Sequence, residues 1–125
     1  QELSGVAGQS VQVTFTPHLI PISRGILSTC YARYAEGVDR DQVRDAYERF
    51  YADEPFVQVL PTGRLPRTKH VAGSNFCHIG LAEDTRTRRL IVVSAIDNLI
   101  KGLAGAACQC MNLMMGWPET TALTV

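Results

Sequence analysis

The sequence predicts an α+β domain: a mixed, largely antiparallel sheet with helices packed on one face. Three observations carry that expectation. Five stretches alternate apolar with polar residues or run as short β-branched blocks, as strands do. Two stretches switch to a helical period. The strands also cluster, reading strand, strand, helix, three strands, helix, whereas βαβ winding would interleave them one for one.

The first expected strand covers residues 10 to 20, with Ser10, Gln12, Thr14, Thr16 and His18 on one side and Val11, Val13, Phe15 and Leu19 on the other. Pro17 and Pro21 confine it to an edge, because a proline cannot donate to a ladder. A second strand, Gly25 to Tyr34, is expected to pair with it. Between Asp39 and Ala52 the period changes: Val43, Ala46, Tyr47, Phe50 and Tyr51 form one apolar stripe. Asp39 and Gln42 have the spacing of a capping box, and Val38 and Val43 that of a hydrophobic staple. Three more strands follow, Phe56–Leu60, Val71–Leu81 and Arg88–Ile96. A polar loop, Arg64–Lys69, separates the first two, and Gly73 and Gly80 mark bends or close approaches in the next.

A corner, Asp97-Asn98-Leu99-Ile100-Lys101-Gly102, leads into a helix over Leu103–Met115. This helix is apolar almost all round, with Lys101, Gly105, Gln109, Asn112 and Gly116 as its one polar or small stripe. Such a helix is expected to be covered from more than one direction, either deep in its own core or against something beyond this chain. Gly116 followed by Trp117-Pro118 stops it.

Lysine plus arginine and aspartate plus glutamate both number 12, which leaves no long-range field to gather nucleic acid or an anionic membrane. No apolar run reaches bilayer length. The four cysteines lack metal spacing, since Cys108 and Cys110 point to nearly opposite sides of a helix and Cys77 and His78 to opposite faces of a strand. They are expected to be reduced, small core hydrophobes of a cytoplasmic protein. No glycine-rich phosphate loop or Gly-x-Ser-x-Gly elbow occurs. The opening Gln1-Glu2-Leu3-Ser4, with no initiator methionine, reads as the interior of a longer polypeptide.

Three polar sets remain. His18 and Arg24 flank a proline turn and suit a phosphate or carboxylate, or they are simply a surface histidine and an edge arginine. Lys69, His70, Ser74 and Asn75 gather around the loop and the next strand; Ser74 and Asn75 adjoin Gly73, and backbone hydrogen bonding explains them. Asn98 offers a carbonyl and an NH₂ group that match a carboxamide, with Lys101 nearby, while capping by Asp97 or Asn98 alone suffices to explain the corner and is the reading that spacing favours.

Four collinear pieces carry a resemblance: Phe15–Ile26, Tyr51–Val57, Thr68–Cys77 and the run from Val92 to Leu123, with Ser94-Ala95-Ile96-Asp97-Asn98-Leu99-Ile100-Lys101-Gly102 and Trp117-Pro118-Glu119-Thr120-Thr121 the most specific. Together they resemble N-acetyl-γ-glutamyl-phosphate reductases. The resemblance implies a two-domain enzyme related to aspartate-semialdehyde and glyceraldehyde-3-phosphate dehydrogenases. Such an enzyme reduces a small-molecule acyl phosphate with NADPH in arginine biosynthesis, through a cysteine thiolate assisted by a histidine. Residues 1–125 then correspond to the C-terminal substrate-binding and dimerisation domain, a likeness of the glyceraldehyde-3-phosphate dehydrogenase C-terminal fold. The partners implied are the chain's own N-terminal nucleotide-binding domain and a second copy, with no nucleic acid and no membrane. Neither the nucleophile nor the general-base histidine matches a residue here, so the chain contributes no catalytic residue and no metal ligand and is expected to be inactive alone. The resemblance places Arg24 and His18 on the substrate and Asn98 and Lys101 on the nicotinamide side, with NADP as cofactor. A carrier-linked acyl-phosphate reductase of lysine biosynthesis and a non-catalytic association module are the alternatives.

Overall fold

A computed structural model describes residues 1–123. Four strands, β1 (Ile26–Arg33), β2 (Val57–Val59), β3 (Cys77–Asp84) and β4 (Arg89–Ile96), form one sheet in the order β1-β4-β3-β2. Strand β4 runs antiparallel to both of its neighbours and β2 runs parallel to β3, so the sheet is mixed and largely antiparallel, as expected. β3 and β4 make a hairpin in which Cys77 opposes Ile96 and Asp84 opposes Arg89. The core gathers on these two central strands: Ile79, Leu90, Val93 and Ala95 are buried, together with Phe56 and Val71 from the flanking segments. No helix among the described residues is long and apolar enough to cross a membrane.

The helices are α1 (Glu2–Ala7), α2 (Arg40–Phe50), α3 (Thr68–Val71) and α4 (Gly105–Met114). α2 starts as its sequence dictates. Asp39 accepts from the Gln42 backbone N–H at 2.8 Å, and the Gln42 side chain accepts from the Asp39 N–H at 3.0 Å. Its inward side is narrower than the expected stripe: Val43, Tyr47 and Tyr51 are half-buried, whereas Ala46 and Phe50 are exposed. Phe50 instead meets the Tyr51 ring edge-on, with centroids 4.9 Å apart.

Three expectations are corrected. Residues 10 to 20 form no strand, because alternation supplies a face but not a ladder, and β1 pairs only with β4 among the described residues. The expected strand over Val71–Leu81 begins only at Cys77. Ahead of it lie the helical turn α3 and a tight turn in which the Ser74 hydroxyl donates to the Val71 carbonyl at 2.8 Å. The cysteines are not uniformly core residues: Cys30 and Cys110 are exposed, Cys77 and Cys108 half-buried.

Between β4 and α4 lies a π-helical turn, Ile100–Ala104, in which Gly102 N–H donates to the Asp97 carbonyl at 2.9 Å and Ala104 N–H to that of Leu99 at 3.0 Å. α4 then packs with its polarity inverted. Gly105, Gln109 and Asn112 are buried, while Leu113, Met114 and Met115 face outward, Met114 being 86% exposed. Close approach explains the glycine: a Cβ at Gly105 would sit 2.2 Å from Asn75 Oδ1. The polar stripe satisfies itself inside. Gln109 Oε1 accepts from Asn75 Nδ2 at 2.7 Å and from Lys101 Nζ at 2.6 Å, and Gln109 Nε2 donates to Glu119. Asn112 Nδ2 donates to the carbonyls of Glu119 and Thr121 at 3.0 and 2.9 Å.

Candidate functional site

The corner after β4 organises around the carboxylate of Asp97, whose side chain is fully buried. Taking a carboxylate out of water costs several kcal/mol unless donors replace the lost hydration. Five do so here. Oδ1 accepts from the backbone N–H groups of Leu99 at 2.8 Å and Ile100 at 3.0 Å, the unsatisfied donors of the helical turn that follows. Oδ2 accepts from Arg24 Nε at 3.2 Å, Arg24 Nη2 at 2.7 Å and Gly73 N–H at 2.8 Å. Burial by itself raises the Asp97 carboxyl, but the bonds from Gly73, Arg24, Leu99 and Ile100 outweigh it and hold the group well below the usual carboxylate range.

Asn98 adds a second clasp on the same arm, its Oδ1 accepting the Gly25 N–H at 2.7 Å. An N–H donor there fixes which end of the amide is oxygen, so the carbonyl is used and Nδ2 has no hydrogen-bond acceptor among the described residues. Gly25 is the residue the clasp requires. Its φ is +101°, and a Cβ would lie 2.6 Å from the Thr68 Cβ. The Arg24-Gly25 dipeptide is thus held at both ends, side chain by Asp97 and backbone by Asn98.

Of the four residues expected at the site, the structure brings Arg24 and Asn98 together. His18 lies on the exposed segment before β1, its Nδ1 3.1 Å from the Thr16 carbonyl, with no hydrogen bond to the corner among the described residues. Lys101 turns inward, donating to Gln109 and lying 5.7 Å over the Phe56 ring. Burial pushes the Cys77 thiol up, against the opposing pull of Lys101. Sequence reasoning saw Asp97 only as a cap. Its second role depends on Arg24, 73 residues away, which no local spacing reveals.

Residues 1–98 match the family model described as semialdehyde dehydrogenase, dimerisation domain, and the chain belongs to that family. The fold is similar to that of aspartate semialdehyde dehydrogenase II from Vibrio cholerae, with a TM-score of 0.62 and 18% identity over 78% of this chain and 29% of that one. In sequence the chain is similar to proteins named N-acetyl-gamma-glutamyl-phosphate reductase. It is 60% identical to that of Moorella thermoacetica over the whole chain and 36% of the relative. It is 59% identical to that of Geobacter metallireducens over 98% of this chain and 36% of the relative. The chain therefore spans about a third of the length of these relatives.

Proposed function

We propose that this chain is the C-terminal substrate-binding and self-associating domain of an NADPH-dependent reductase. The enzyme converts N-acetyl-γ-glutamyl phosphate to N-acetylglutamate semialdehyde and phosphate, in arginine biosynthesis. One observation carries the reading: 60% identity along all 125 residues to a reductase of that name. The attacking thiolate and the dinucleotide loop belong to a preceding domain of the longer polypeptide, and the general-base histidine to a segment outside this chain. A nicotinamide cofactor supplies hydride when bound. The residues of the corner fit such a group, because Asn98 keeps an NH₂ donor for a carboxamide carbonyl once Gly25 has taken its oxygen. Lys101 gives one of its ammonium donors to Gln109.

Arg24 is the substrate-facing cation. Asp97 occupies its Nε and one Nη2 hydrogen, which leaves the Nη1 edge to donate to a phosphate or carboxylate. A second copy covers β1, an edge strand whose eight residues are all exposed, Leu27 at 52% and Tyr31 at 66%. The outward apolar side of α4 faces the preceding domain.

Arg24→Ala and Asn98→Ala in the full-length reductase test this reading. The first is expected to raise KM for the acyl phosphate by roughly tenfold or more, the scale of a lost charge-assisted bond. The second is expected to raise KM for NADPH by roughly three- to tenfold, the scale of one neutral hydrogen bond. Wild-type constants in both variants would remove Arg24 and Asn98 from the cleft.

A further inference from the structure

A carboxylate that merely capped the turn after β4 would need one oxygen, and Oδ1 of Asp97 does that work with the N–H groups of Leu99 and Ile100. Oδ2 has a separate set of donors from two remote segments, Arg24 and Gly73. A guanidinium presents five N–H groups in a rigid plane, so fixing the Nε/Nη2 edge fixes the direction of the opposite edge as well. The Arg24 side chain is 39% exposed while its partner carboxylate is wholly buried. One edge is therefore anchored within the fold, while the side chain as a whole stays partly exposed. The backbone of the same segment is held independently, by Asn98 Oδ1 on the Gly25 N–H.

We propose that Asp97 is a positioning residue of the reductase, whose Oδ2 anchors one edge of the Arg24 guanidinium so that the other edge is held ready for the anionic group of the substrate. The proposal rests on the reading that Arg24 meets that substrate. Two physical consequences follow. The rotamer entropy of Arg24 is largely lost on folding and need not be lost on binding. The buried carboxylate also offsets much of the arginine's charge, so the side chain acts through direction more than through field. Lysine cannot replace it, because an ammonium that pairs with Asp97 has no second edge to offer.

Asp97→Asn separates the two oxygens: the amide oxygen retains the bonds to Leu99 and Ile100, while NH₂ replaces Oδ2 and meets only donors. In the full-length reductase this variant is expected to raise KM for the acyl phosphate about tenfold. In the Arg24→Ala background it should add nothing further, since residues acting through one contact are non-additive. Arg24→Lys keeps a cation beside Asp97 and is expected to match Arg24→Ala in KM; it decides the matter if Asp97→Asn does not fold. An unchanged KM in Asp97→Asn, effects that multiply in the double variant, or wild-type KM in Arg24→Lys would each overturn the proposal. The parent reading fails separately: Arg24→Ala with wild-type KM removes Arg24 from the substrate, and the role of Asp97 with it. Where Arg24→Ala is impaired and the double variant is worse still, only the role of Asp97 falls.

Discussion

At the scale of the residue, one buried aspartate decides the geometry of the corner. Each oxygen of Asp97 holds a different part of the chain, and its carboxyl is kept well below the ordinary range by Gly73, Arg24, Leu99 and Ile100 in spite of its burial. The sign of the pH dependence follows. A depressed folded-state pKa contributes stability that is fully present above the unfolded value of about 4 and is lost as pH falls toward the folded value. The melting temperature of the wild type should exceed that of Asp97→Asn by a constant margin at neutral pH, and the margin should shrink below about pH 4. A margin that stays level down to pH 3 would show that the ionised form is not what the fold uses. Asp97 was legible in the sequence as a cap because capping is local. The Arg24 bond was not legible, because it joins residues 73 apart whose meeting depends on β1 pairing with β4.

At the scale of the element, the same distinction separates what could be read from what could not. α2 carries its own start signal, and Asp39 and Gln42 make the reciprocal bonds that their spacing predicts. Residues 10 to 20 alternate as well as any strand in the chain, yet a strand exists only with a neighbour, and none pairs there among the described residues. For α4 the polar stripe was identified but its direction was not. Periodicity finds a stripe without saying which side is inward, and Gln109 and Asn112 turn inward because Asn75, Glu119 and the carbonyl of Thr121 receive them. Gln109→Leu would strip Asn75 Nδ2 and Lys101 Nζ of their shared acceptor. It should cost about 1–3 kcal/mol, the penalty of leaving buried donors unpaired. Met114→Lys, on the 86% exposed side, should change the stability of this chain by less than about 0.5 kcal/mol. Urea denaturation of both variants checks the orientation, and the reverse ranking would mean that α4 is turned the other way.

At the scale of the whole molecule, three apolar surfaces stand uncovered among the described residues: β1, the outward side of α4 with Met111, Leu113 and Met114, and the segment before β1 with Phe15 and Leu19. Patches of this kind mark contact surfaces. They agree with membership of a dimerisation-domain family and with relatives about three times as long as this chain. The family was legible because its specific pieces are contiguous in sequence. The candidate site was only half legible, because Arg24 and Asn98 join one corner of the fold whereas His18 bonds only its own segment and Lys101 bonds Gln109. The most direct test is a steady-state assay of NADPH oxidation driven by N-acetyl-γ-glutamyl phosphate, run on the full-length polypeptide and on this chain alone. Turnover with release of phosphate is expected from the first and none from the second. Turnover by this chain alone, or a full-length protein that leaves the acyl phosphate untouched, contradicts the assignment.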